Sequence, residues 1–123
     1  MELSLSRIGA RVVVAFPRRV DLEDESAEAF KTCLKALVRD GDRHVVMDLG
    51  NVGFVDSLGL GVLISALKVL RSEGGSLVLA NVSEPVEAVL RITRLVRVFD
   101  VHPTVVDALS VSPEEAAAHP AAG

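Results

Sequence analysis

Apolar residues crowd together at positions 45–49, Val-Val-Met-Asp-Leu, and beyond a short glycine-containing turn they recur in the spacing Leu60, Leu63, Leu67, Leu70. The nearly unbroken run predicts a strand buried on both faces, as in a parallel sheet covered by helices. The i, i+3, i+7 rhythm predicts a helix from Ser57 to about residue 71, stopped by Gly74 and Gly75. Upstream, Leu3 and Leu5, a turn at Ile8, Gly9 and Ala10, and the apolar run 12–16 predict two short strands in a hairpin, closed by Pro17. Glu23, Asp24 and Glu25 then open a helix with apolar positions Ala27, Phe30, Leu34, Leu37 and Val38. Arg39 lies near its end and Gly41 beyond, so the charges match the helix dipole at both ends.

Residues 76–80 predict another buried strand, and Ser83, Glu84 and Pro85 the start of a helix that runs to about residue 93. A short edge strand follows at 98–101, and Thr104 with Asp107 forms a capping box for a last helix ending near Leu109. This alternation predicts an α/β fold: a mixed four- to five-stranded sheet, an N-terminal hairpin followed by parallel βαβ units, with about four helices. The domain spans residues 1–110, and the Ala-, Pro- and Glu-rich residues 111–123 are expected to be a disordered tail.

In parallel βαβ units the loops after each strand emerge at the carboxyl edge of the sheet, where sites tend to be built. Asp21, Asp56 with Ser57, and Asn81 with Ser83 are expected to share that edge. Ser57 fits the N-cap of its helix, close to free backbone N–H groups and the positive end of the dipole, where an added phosphate is tolerated. The same helix carries a second apolar stripe, Leu58, Val62 and Val69, that wants a second partner. Either a neighbouring helix of the domain covers it or it forms an exposed recognition patch beside Ser57. A phosphate on Ser57 places about two negative charges next to that patch and to Asp56, opposing docking there.

With 123 residues, half of them apolar, the chain can bury a core without disulfides or metals. A net charge of −4 and the lack of tryptophan and tyrosine argue against nucleic acid as a partner. Cys33 falls within a helical pattern and is expected to be a small core residue. His44, His102 and His119 are scattered without ligand spacing, so no metal is implied, and no Gly-Lys-Ser or Gly-Lys-Thr phosphate loop exists. Gly59 and Gly61 fail as a dinucleotide fingerprint because Ile64 stands at the third glycine position. A hydrolase nucleophile elbow wants glycine where Val55 stands, although Asp100 and His102 follow Ser57 in one hydrolase order. Arg91, Arg94 and Arg97 suit a solvated basic face. The N-terminus lacks the continuous apolar region of a signal peptide and no segment reaches the length of a membrane span, so a cytoplasmic protein without membrane insertion is expected.

Four segments carry a resemblance to a known family: Val-Met-Asp-Leu at 46–49, Phe-Val-Asp-Ser-Leu-Gly-Leu-Gly-Val-Leu at 54–63, Gly-Gly-Ser-Leu-Val-Leu-Ala at 74–80 and Leu-Arg-Ile-Thr-Arg-Leu at 90–95. From about residue 5 to 109 the chain resembles the stand-alone STAS domain of bacterial anti-sigma factor antagonists. The resemblance implies a non-enzymatic, cofactor-free partner switch. Unphosphorylated, it binds an anti-sigma factor that is itself a serine kinase of histidine-kinase-like ATPase fold; phosphorylation at Ser57 releases it, and a metal-dependent serine phosphatase restores binding. Asp21 and Asp56 match family aspartates that shape the kinase-facing surface, and Leu58, Gly59, Val62, Asn81 and Ser83 complete the implied contact set. A monomer or weak dimer is expected. Some STAS domains instead serve as constitutive scaffolds or as accessory parts of transporters, with no phosphate cycle. This chain departs from the family pattern in Arg18 and Arg19 before the loop aspartate, in Leu58 after the acceptor, and in Arg94 where a helix-ending glycine is expected, a left-handed position that costs a non-glycine residue about 1 kcal/mol.

Overall fold

The computed structural model describes residues 1–118. A hairpin, β1 (Ser4–Ile8) and β2 (Arg11–Ala15), leads to a three-residue strand β3 (Val20–Leu22) and helix α1 (Asp24–Arg39). Then come β4 (His44–Asp48), β5 (Val52–Val55), α2 (Ser57–Ser72), β6 (Ser76–Ala80) and α3 (Glu84–Ile92). A 3-10 turn at Leu95–Arg97 precedes β7 (Asp100–His102), α4 (Val105–Ser110) and α5 (Pro113–Ala117).

The main sheet has the order β1-β2-β4-β6-β7, with β1 antiparallel to β2 and every other pair parallel. Val14, Met47 and Leu79 lie side by side in the register and face α1 and α2, where Phe30, Leu34, Leu63 and Leu67 complete the larger core. Val46 and Val78 point the other way into a smaller cluster with Ala108 and Ala116 of α4 and α5. Burial of β4 and β6 on both faces explains why their sequences are apolar without alternation.

Three local features depart from the expectations above. First, the glycine-containing turn expected before Ser57 contains β5, which pairs in parallel with β3 to form a ribbon outside the main sheet. Second, the tail expected to be disordered from residue 111 contains α5: Ser112 caps it by accepting the Glu115 N–H, Ala116 packs on the smaller core, and the Val111 carbonyl accepts a hydrogen bond from Arg11. Residues 119–123, including His119, lie outside the described residues. Third, α3 ends as the family pattern requires despite the missing glycine, because Arg94 itself takes the left-handed conformation, φ 63°.

Candidate functional site

The site grows out of the ribbon. Val52 and Val55 of β5 are buried, which fixes the strand over α2 and α3 and turns Phe54 outward, 41% exposed, opposite Asp21 of β3. Past the carboxyl end of β5, the Asp56 N–H donates to the Leu22 carbonyl at 3.1 Å and ties the start of α2 to β3. Asp56, not Ser57, is the N-cap: its backbone is extended and its carboxylate accepts the Gly59 N–H at 2.9 Å. Aspartate caps as well as serine does, and with the cap one residue earlier Ser57 becomes the first helical residue. The Ser57 hydroxyl is exposed, and no hydrogen bond to it is found among the described residues.

Gly59 is buried against the ribbon. A Cβ on it would stand 2.5 Å from the Leu22 carbonyl oxygen and 2.8 Å from Val55 Cγ1, so glycine lets α2 begin in contact with β3 and β5. Gly53 plays a parallel part on the outer face: the Arg19 guanidinium and the Asp21 carboxylate lie within 2.7 Å and 2.8 Å of where its Cβ would be. Arg19 thereby sets a positive charge beside Asp21.

The structure sets Asp56, Ser57 and Leu58, which is 47% exposed, in succession at the start of α2, and the Asp56–Leu22 bond holds the strand that carries Asp21 alongside them. It separates the other expected contacts from them. Val62 is only 9% exposed because α1 covers that part of the second stripe, and Gly59 faces inward. Asn81 lies at the carboxyl edge of the main sheet, where its side-chain amide and the Gly50 N–H both donate to Asp48 Oδ1 at 3.2 Å and 2.9 Å. Ser83 donates to the Val52 carbonyl at 2.6 Å, at the start of β5 and so at the opposite end of that strand from Ser57. The shared edge expected for these loops fails because β5 belongs to a different sheet from β4 and β6. Arg19, one of the departures noted before the loop aspartate, joins the surface beside Asp21, and Phe54 joins it without an expectation from the sequence. An exposed aromatic beside buried Val55 was the available signal, hidden by the two glycines that made the segment look like a turn.

The hydrolase arrangement is not assembled. Asp100 and His102 pair with each other at 3.1 Å on β7, the far edge of the main sheet, and neither bonds to Ser57 among the described residues. Among the described residues no cluster of three or more His, Cys, Asp or Glu side chains could hold a metal, and no helix is long and apolar enough to cross a membrane.

A sequence model of the STAS domain matches residues 7–108. The chain belongs to the STAS domain family. A provisionally named anti-sigma factor antagonist of Thermotoga neapolitana is 34% identical over 99 residues, 80% of this chain and 87% of that protein. The crystal structure of an anti-sigma factor antagonist from Mycobacterium paratuberculosis superposes with a TM-score of 0.78 at 25% identity, covering 89% of this chain and 91% of that one. SpoIIAA of Bacillus, an anti-sigma factor antagonist, shares the fold in its unphosphorylated form (TM-score 0.74, 19% identity, 89% and 94% coverage) and in its phosphorylated form (TM-score 0.67, 18% identity, 89% and 97% coverage). The chain is thus a STAS domain whose similar proteins include anti-sigma factor antagonists.

Proposed function

We propose that this STAS domain is a phosphorylation-controlled antagonist of an anti-sigma factor, acting in the cytoplasm as a monomer or weak dimer, with Ser57 as the phospho-acceptor. The partner is an anti-sigma serine kinase of histidine-kinase-like ATPase fold, and a metal-dependent serine phosphatase reverses the modification. The observation that carries this reading is an exposed hydroxyl at the first position of a long helix, relieved of capping by Asp56 and flanked by exposed Leu58 and Phe54.

The physics separates fold from interface. Within the chain, a phosphate at the helix N-terminus meets free N–H groups and a favourable dipole, so the fold accepts it. Across an interface, about two added negative charges next to Asp21 and Asp56 repel acidic partner groups and resist desolvation beside Leu58 and Phe54. Asp21, Asp56, Leu58 and Phe54 form the contact surface, while Gly59 and Val62 hold it from beneath.

Incubation with the cognate kinase and ATP, followed by mass spectrometry, tests the assignment. Phosphate maps to Ser57 and is lost in Ser57→Ala; modification elsewhere with Ser57→Ala unaffected refutes it. Ser57→Asp lowers affinity for the anti-sigma factor. A constitutive scaffold or transporter accessory instead predicts a complex that forms without a kinase and tolerates Ser57→Asp.

A further inference from the structure

The second apolar stripe of α2 is only partly covered. Leu58, Val62, Ala66 and Val69 follow one another on a single face, and α1 packs over Val62 while Val69, like Leu58, stays nearly half exposed. Ser65 and Ala66 are short and leave space between the side chains of the two helices. A groove of about 150 Å³ remains, floored by Leu34 and Val38 of α1 and by Val62, Ala66 and Val69 of α2.

Its rim carries Lys31 and Lys35, one turn apart on α1 and both exposed. None of the ion pairs formed among the described residues involves a lysine, although Glu28 is on the same helix. Like charges at this spacing repel within a helix, so placing the two ammonium groups together is not itself favourable to the isolated fold. In a chain of net charge −4 it is a local positive site beside an apolar slot.

We propose that this groove receives an acidic amphipathic helix of the anti-sigma factor, seating a phenylalanine-sized anchor between α1 and α2 and pairing a carboxylate with Lys31 and Lys35. The inference rests on the function proposed above and adds to it a second point of attachment, away from Ser57. Three observations support the occupant. Apolar cavities of ~150 Å³ take up a group the size of benzene, which matches one aromatic side chain. A slot between two helices suits the ridge of a third, anchored at helical spacing. The stripe also runs through Leu58 to the Ser57 surface, so one partner can span both. The groove sets which anti-sigma factor is held, and the charge at Ser57 sets when.

Calorimetric titration of the anti-sigma factor against five forms of the full chain tests this: wild type, Ser57→Asp, the double charge reversal Lys31→Glu with Lys35→Glu, the charge-keeping Lys31→Arg with Lys35→Arg, and Ala66→Phe, which fills the groove. The lysine reversal and Ala66→Phe each weaken binding at least tenfold. The loss from the lysine reversal shrinks at high salt, and replacing both lysines by arginine restores wild-type affinity. The lysine variants change only exposed side chains and carry the test alone if Ala66→Phe does not fold. Wild-type affinity in the lysine reversal together with weakened Ser57→Asp overturns the groove and leaves the switch standing. Failure of the unphosphorylated wild type to bind overturns both.

Discussion

Replacing Gly59 by alanine should destabilise the protein, while the same change two residues later should stabilise it. At Gly59 the new methyl would lie 2.5 Å from the Leu22 carbonyl oxygen and 2.8 Å from Val55 Cγ1, both well inside van der Waals contact. The carbonyl cannot retreat freely because it also accepts the Asp56 N–H. Overpacking of this kind costs about 1–3 kcal/mol. Weakening the Leu22–Asp56 bond adds about 1 kcal/mol, and the better helix propensity of alanine returns roughly the same amount. The net loss is about 1–3 kcal/mol. At Gly61, in contrast, the methyl meets nothing within 4 Å, so only the propensity gain of about 0.8–1 kcal/mol remains. Urea unfolding followed by circular dichroism, with the slope checked for constancy, gives both values. Gly59→Ala as stable as wild type, or Gly61→Ala less stable, would show that α2 does not start in contact with the ribbon as described.

Arg94→Gly removes the left-handed strain of a non-glycine residue and should raise stability by about 0.5–1 kcal/mol after the entropy of the unfolded glycine is counted, measured as a higher urea midpoint. Asp56→Ala removes the α2 cap and should lower stability by about 1 kcal/mol, whereas Ser57→Ala should change it by no more than ~0.5 kcal/mol; equal losses in the two would mean that serine shares the capping. Truncation after Ser110 strips α5 from the smaller core and leaves Arg11 without the Val111 carbonyl, so thermal unfolding should reveal a loss of about 2 kcal/mol. No loss would return these residues to the status of a passive tail.

Long elements were legible because their burial is periodic or complete. The stripe Ala27, Phe30, Leu34 and Leu37 is buried as its spacing predicts, and β4 and β6 are apolar because both of their faces are covered. Short elements were not. With three and four residues, β3 and β5 are too brief to display an alternation, and Gly50 and Gly53 disguise the second as a turn. Missing the ribbon had a direct cost at the site: Asn81 and Ser83 were grouped with Ser57 on the assumption of one common sheet edge, and the ribbon removes that edge. Leu58 and Val62 occupy the same face of α2 and were indistinguishable by pattern, and their different fates follow from where α1 ends its cover. The Asp-Ser-Leu-Gly setting points to Ser57 as the proposed acceptor, but which of the first two residues closes the helix depends on whether Asp56 or Ser57 leaves the helical backbone, which no pattern reports.

That division of labour between neighbours has a lasting effect. Since Asp56 closes the helix, the Ser57 oxygen holds nothing in place, and whatever is attached to it alters what the surface can grip while leaving the folding equilibrium almost where it was. If Ser57 is the acceptor proposed above, phosphate can be added and removed there without raising the share of unfolded chain open to proteases.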